Sequence, residues 1–308
     1  MEETKKKLIV IIGPTAVGKT ELSIRLAEAI RGEVISADSR LFYRGMDIGT
    51  AKPTREDLVR VPHHLIDVAK PDQEWSLALY LSRTQEVIRE IHRRGSVPFL
   101  VGGTGQYIQA VIEGWDLPKT KPDPNLRKIL DRWADDIGVD GMRARLAALD
   151  PDAAEGIDGP NLRRIIRALE VILSSGRRFT EQRGKSGSPY KILQIGLIRS
   201  REELYQRIDQ RIEIMLDHGL ENEVTSLLEA GYTADSSAMS AIGYKQMAAY
   251  LCGEISREEA IRQIKSKTRK YVRQQANWFR ENDPNISWFS ASSDPFEDIL
   301  NEIQHFLS

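Results

Sequence analysis

The stretch IVIIGPTAVGKTELSIRL (residues 9–26) runs apolar residues into Gly13-Pro14-Thr15-Ala16-Val17-Gly18-Lys19-Thr20 and follows them with an amphipathic segment. This is the pattern G-x-x-x-x-G-K-[ST] in a strand–loop–helix setting. The glycines let backbone N–H groups converge on phosphate oxygens, and the helix N-terminus adds the positive end of its dipole. Lys19 supplies a mobile cation, and Thr20 a hydroxyl able to ligate Mg²⁺. A plain glycine turn between strand and helix would give no reason for Lys-Thr at its end. The stretch therefore reads as a phosphate cradle. It leaves open which phosphate, because such loops serve kinases, ATPases and enzymes that use no nucleoside triphosphate.

Outward from the loop, the first 115 residues alternate strand and helix signals. KLIVIIG reads as a buried strand, residues 20–31 as a helix, GEVISADS as a second strand, residues 76–94 as a helix and SVPFLVGGTG as a third strand. Strands alternating with helices predict a parallel sheet flanked by helices. The texture changes at LPKTKPDPN (117–125). Beyond it, Leu126, Ile129, Leu130, Trp133 and Ile137 recur at helical spacing, as do Leu162, Ile165, Ile166, Leu169 and Ile172. Strand texture resumes in KILQIGLI (191–198), followed by helices at about 201–230 and 256–281 and a short strand, ISWFS. The expected fold is an α/β core, residues 1–116 and 191–308, interrupted by a helical insertion at 117–190.

Composition sets broad limits. The chain has 308 residues, 41% hydrophobic and 29% charged, as in an ordinary globular protein. No apolar run approaches the ~20 residues of a membrane span, and the N-terminus shows no secretory or transit pattern. One cysteine, Cys252, excludes a disulfide framework and a cysteine-based zinc site. A monomer in a reducing cytoplasm is expected. The net charge of −1 hides an asymmetry. Residues 160–185 hold seven basic against two acidic residues, and residues 257–280 eight against two. Two basic blocks in a near-neutral chain suggest a local polyanion footprint, with a pair of solvated helix faces as the plain alternative. At 100° per residue, Arg262, Arg269, Arg273 and Arg280 fall on one line of a continuous helix, suited to RNA phosphates.

The chemistry turns on the acids near the loop. An ATPase would usually offer an apolar strand ending in Asp to hold the metal's water shell, yet the third strand ends FLVGGTGQY. The acid lies just past the second strand, at Asp38 in ISADSRLFYRGMDIGTAKP. In a parallel sheet that strand end opens on the same crevice as the loop. Asp38 there suits a base acting on a second substrate, or equally a helix cap. The pair His63-His64 has no other clustered ligands and reads as structural.

GPTAVGKT, ISADSRLFYRGMDIGTAKP, PHHLIDV, LVGGTGQYI, RRIIRALEV, AIGYKQ and TRKYVRQQANWFR occur in the order and spacing of bacterial tRNA dimethylallyltransferases, the IPP transferase family. The chain resembles that family over nearly its whole length. The resemblance implies a P-loop core that transfers a dimethylallyl group from its diphosphate to the N6 amine of the adenosine 3′ of a tRNA anticodon. Gly13, Pro14, Thr15, Ala16, Val17, Gly18, Lys19 and Thr20 would then hold the departing diphosphate, with Mg²⁺ on Thr20. Asp38 would take the amine proton, Thr104 would lie near the reacting base and Arg211 on the diphosphate. The anticodon stem-loop would be met by Asp38, Ser39, Arg40, Leu41, Thr104, Arg127, Arg163, Arg164, Arg167, Ser240, Gly243 and Lys245, together with Arg269, Arg273 and Arg280. One departure stands out: the family commonly reads Lys-Arg-Gln before its Trp-Phe-Arg, where this chain has Arg273-Gln274-Gln275. Three rivals remain at this point: a small-molecule kinase, an enzyme prenylating free adenylates, and a nucleotide-gated RNA-binding protein without chemistry.

Overall fold

A computed structural model describes residues 5–308 apart from Lys119, Pro122 and Asp235. Leu8–Ile12 is apolar without alternation, the mark of a strand covered on both faces, and all five side chains are buried. They form most of β1 (Lys6–Ile12), which runs through the phosphate loop into α1 (Lys19–Ile30). There follow β2 (Gly32–Ala37), α2 (Arg55–Arg60), β3 (His63–His64), α3 (Leu77–Arg93), β4 (Val97–Gly102) and α4 (Gly105–Ile112). Next come β5 (Trp115–Asp116), α5 (Pro124–Leu149), α6 (Pro151–Glu155), α7 (Leu162–Ser175) and β6 (Gly184–Lys185). The chain closes with β7 (Tyr190–Ile198), α8 (Arg201–Asp217), α9 (Leu220–Glu229), α10 (Tyr244–Leu251), α11 (Arg257–Gln275), β8 (Ile286–Ser290) and α12 (Phe296–Leu307). It divides into two compact units: one ends at Ile112 and resumes over Pro189–Ser308, the other is Glu113–Ser188. Among the described residues no helix is long and apolar enough to cross a membrane.

The first unit is built on a six-stranded sheet in the order β3-β2-β4-β1-β7-β8, with every pairing parallel. β3, at the edge, is too short to leave a periodic signal in the sequence. Three expectations are corrected here. The helix expected over 201–230 is two, α8 and α9, because Gly219 takes φ 94° between them. The helix expected over 256–281 stops at Gln275. Trp278 packs on Gly105, where a Cβ would lie 2.1 Å from Trp278 Cγ, and Gln109 Nε2 donates to the Trp278 carbonyl at 3.4 Å. Arg280 therefore lies off the helix, and the row on α11 is only Arg262, Arg269 and Arg273. Finally, the insertion runs over Glu113–Ser188, not 117–190, because the antiparallel β5–β6 pair belongs to it.

In the second unit α5 and α7 bury Leu130, Ala134, Met142 and Leu146 against Ile165, Ile166, Leu169 and Ile172. Three of the apolar residues whose spacing marks α5 are exposed: Ile129 at 50%, Trp133 at 47% and Ile137 at 41%. The core row runs through Leu130, Ala134, Met142 and Leu146, across Gly138, whose φ of 68° kinks the helix. Beside this core lies the fully buried Glu170. It accepts from Arg127 Nη2 at 2.9 Å, Arg167 Nη1 at 2.7 Å and the Asp123 amide at 2.8 Å. Burial pushes its carboxyl up, but the two guanidinium bonds outweigh that and hold it below the usual carboxylate range.

A second buried acid, Glu33, sits at the N-terminal end of β2, away from the loop. Burial raises its pKa, and hydrogen bonds from Arg94, His64 and Ser96 overcome this and bring it to about 2. His64 Nε2 lies 2.7 Å from the Glu33 carboxylate and His63 Nδ1 2.7 Å from the Val61 carbonyl, so both histidines serve the sheet edge.

Two outcomes follow for stability. Because Glu33 is held below its unfolded value, its stabilisation is complete above the unfolded pKa of 4.5 and is lost as pH falls toward about 2. Glu33→Gln should cost roughly 1–3 kcal/mol at neutral pH and flatten the acid limb of a urea-unfolding series. Glu170→Ala should destabilise the insertion by about 1–3 kcal/mol, because the buried acceptor shared by Arg127, Arg167 and the Asp123 amide is lost. Hydrogen exchange would show faster opening of α5 and α7 with the sheet amides unchanged.

Candidate active site

Parallel pairing sets the geometry. Gly102 on β4 is level with Ala37 on β2 and with Ile12 on β1. The next residues, Gly103, Asp38 and Gly13, therefore leave three neighbouring strands at the same height. The Gly103-Thr104 turn emerges between the Asp38 turn and the phosphate loop, and hydrogen bonds lace it to both sides. The Thr104 amide donates to the Ala37 carbonyl at 3.2 Å, and the Ser39 amide to Thr104 Oγ1 at 3.3 Å. The Arg40 amide donates to Asp38 Oδ1 at 2.9 Å, which fixes the half-buried carboxylate in an Asx turn. Asp38 caps no helix.

The phosphate loop is held from outside by arginines the sequence reading passed over. Arg207 Nε donates to the Ala16 carbonyl at 2.8 Å and Arg199 Nε to the Val17 carbonyl at 3.0 Å. Ala16 itself takes φ 69°, a left-handed conformation unusual for a non-glycine residue. With its carbonyls tied outward the loop is free to present amides inward. Lys19 Nζ folds onto the loop carbonyls of Gly13 at 3.0 Å and Pro14 at 2.8 Å. Burial lowers its pKa to about 8, against the attraction of Asp38 and with the repulsion of Arg211. Burial and Arg207 likewise depress Arg211, which makes no ion pair among the described residues. A surface salt bridge for Arg211 is thus excluded. Arg199, Arg207 and Arg211 repel one another in turn, Asp38 is the carboxylate that acts on Lys19 and Arg211, and Glu203 only grazes Arg199 at 3.9 Å. Such a cluster suits an anion.

For Mg²⁺ the donors are sparse. Among the described residues no three His, Cys, Asp or Glu side chains converge as metal ligands. Thr20 is exposed on the first turn of α1, and its hydroxyl makes no hydrogen bond among the described residues. Mg²⁺ in phosphate sites takes most of its ligands from the phosphates and water. One free hydroxyl beside a phosphate loop fits that mode.

Two further residues come from the end of α11. Gln275, 7% exposed, accepts from the Thr15 amide at 2.9 Å and donates to the Gly103 carbonyl at 2.9 Å. A Cβ at Gly103 would stand 2.3 Å from Gln275 Nε2 and displace that amide. One turn earlier Tyr271 has Thr104 and Gln275 as hydrogen-bond neighbours, and burial followed by Asp38 raises its pKa. No spacing rule would single out a glutamine that acts through a fold-back of more than 170 residues.

The other expected positions divide sharply. Arg40 reaches the Ser237 carbonyl at 2.7 Å and Ser240 Oγ at 3.5 Å, joining the Asp38 turn to the segment that carries Gly243 and the exposed Lys245. Leu41 follows, half-buried. Arg273 is exposed and donates to Tyr205 Oη at 2.8 Å. Arg269, by contrast, is engaged by Asp209 and stacks over Tyr205, 5.1 Å from its centroid, while Arg262 pairs with Glu259. The row on α11 is therefore not an acid-free stripe. In the insertion Arg163 and Arg164 are exposed without ion pairs among the described residues, whereas Arg127 and Arg167 are committed to Glu170.

The chain is similar to known proteins. Residues 41–282 match the IPP transferase family model and residues 6–68 the isopentenyl transferase model. The chain is 45% identical to a tRNA dimethylallyltransferase of Thermomicrobium roseum, with 97% of this chain and 90% of that protein aligned. It is 49% identical to one of a Roseiflexus species, with 93% of each aligned. The structure of the tRNA isopentenylpyrophosphate transferase of Bacillus halodurans matches with a TM-score of 0.72 at 44% identity, over 98% of this chain and 96% of that one. A eukaryotic dimethylallyltransferase, described as acting on tRNA, matches with a TM-score of 0.81 at 28% identity, over 98% of this chain and 78% of that one. With the phosphate loop, Asp38 and the Gly-Gly-Thr turn in the family's order on adjoining strands, the chain belongs to the IPP transferase family.

Proposed function

We infer that the protein transfers a dimethylallyl group from dimethylallyl diphosphate to the exocyclic N6 amine of the adenosine 3′ of a tRNA anticodon, releasing diphosphate. The observation that carries this is one carboxylate, Asp38, level with an arginine-backed phosphate loop, in a chain 45–49% identical to tRNA dimethylallyltransferases. An adenine amine is a weak nucleophile, so the reaction needs help at both ends. At one end the loop amides, Lys19 and Arg211 meet the charge that builds on the diphosphate as the allylic C–O bond breaks. Mg²⁺, held by Thr20 and the diphosphate, would supply further stabilisation of that charge. At the other end Asp38 takes the proton released as the N6–C bond forms. Its Asx turn keeps one carboxylate oxygen occupied by the Arg40 amide and leaves the other for the amine.

The base has to leave its stack to reach a half-buried carboxylate, and contacts to surrounding RNA offset that cost. Arg163, Arg164, Arg273 and Lys245 are exposed cations without ion pairs among the described residues and suit RNA phosphates. Arg127, Arg167 and Arg269 carry RNA contacts only as arms of ion pairs that already fix their geometry. Ser39, Leu41, Thr104, Ser240 and Gly243 would meet the nucleotides beside the reacting base. Acting on tRNA, the enzyme is assigned to the cytoplasm.

A kinase reading lacks its metal-holding acid, since β4 ends at Gly102 and runs into Gly103 and Thr104. Prenylation of free adenylates leaves the exposed arginines of the insertion without a purpose.

Asp38→Asn should lower prenyl incorporation ~10²–10⁴-fold while tRNA affinity stays within a few-fold of wild type. Turnover at the wild-type rate would end the assignment of Asp38 as base. Arg273→Ala should weaken tRNA binding and reduce the slope of log K against log salt by about 1, without changing prenyl-diphosphate affinity. Equal loss of both affinities would make Arg273 structural.

A further inference from the structure

We propose that Gln275 is a positioning residue that couples the diphosphate loop to the RNA-binding parts of the site, so that each substrate tightens the binding of the other. The inference rests on the transferase function above. Three pieces of chain meet at this one side chain. Thr15 belongs to the phosphate loop, Gly103 precedes Thr104 beside the base site, and Gln275 itself ends the helix that carries Arg269 and Arg273. Both hydrogen bonds are 2.9 Å long, and each uses a different end of the amide.

Burial gives these bonds their force. Breaking either would leave a polar amide group unpaired away from water, which is costly. The loop, the turn and the helix end are therefore bound to shift together. When the loop closes on a diphosphate, Thr15 carries Gln275, and Gln275 carries Gly103 and the last turn of α11. RNA drawn onto that helix acts on the loop through the same bonds in reverse. Coupling of two binding sites is reciprocal by necessity. Only a glutamine fits all of this: a glutamate accepts from Thr15 but cannot donate to the Gly103 carbonyl, and an asparagine is one methylene short. Methionine fills the same volume with neither bond. Tyr271, one turn away with Thr104 and Gln275 as neighbours, reinforces the same linkage.

The test measures binding of inorganic diphosphate and of an anticodon stem-loop, each alone and in the presence of the other, by calorimetry on the full chain. In the wild type each ligand should tighten the other at least about 5-fold, the lower end of ordinary allosteric coupling. In Gln275→Met that factor should fall below about 2. Gln275→Glu keeps the Thr15 bond and should lose the coupling as well, so it serves should the methionine variant fold poorly. Wild-type coupling retained in either variant, or a wild-type factor of one, overturns the proposal. A protein that shows the coupling but transfers no prenyl group to the stem-loop overturns the transferase function and leaves the linkage standing.

Discussion

Everything at the site descends from the in-register parallel pairing of β2, β4 and β1. Parallel strands leave the sheet in one direction, and the register brings Ala37, Gly102 and Ile12 to one height. Their following loops have no other strand between them. A shift of two residues in either pairing would carry Asp38 some 6–7 Å along the strand direction from the loop, beyond the reach of a proton transfer.

The second constraint is electrostatic. Arg199, Arg207, Arg211 and Lys19 converge where a neutral protein would avoid leaving cations together. Folding tolerates them because two guanidinium groups bond to loop carbonyls and Lys19 folds onto two more. These same bonds shape the loop. An anion bound there would relieve a repulsion that the fold has kept in place, a form of preorganisation in which binding needs little rearrangement of charge.

Much of this was legible in the sequence, and the rest fails for identifiable reasons. The phosphate loop, Asp38 beyond the second strand and the turn at Thr104 stand out because local pattern and strand polarity are both short-range information. The end of α11 did not, because a continued helical pattern through Ala276 and Asn277 gives no sign that Trp278 must turn onto Gly105. Ile129, Trp133 and Ile137 are exposed for a related reason: apolar spacing marks a helix but not which of two adjacent rows faces its partner. Arg199, Arg207 and Gln275 act on loops brought near only by the fold, and a single sequence carries no trace of that proximity.

The arginines show most clearly what structure adds to charge counting. A basic block in sequence is a sum, and the sum does not distinguish a cation already neutralised from one still exposed. Arg127 and Arg167 share the buried Glu170, and Arg269 lies between Asp209 and the Tyr205 ring. These cations are spent on holding helices in place, and a polyanion gains less from them because their field is already compensated. Arg163, Arg164 and Arg273 have no carboxylate partner among the described residues. Tyr205 serves both kinds at once: its ring face packs against Arg269 and its hydroxyl orients Arg273. One aromatic side chain thus anchors a structural arginine and orients the next one up the helix, which the proposed function would set against a phosphate. The footprint for RNA is accordingly narrower than the charge blocks suggest, and it is set by which cations the fold has left uncompensated.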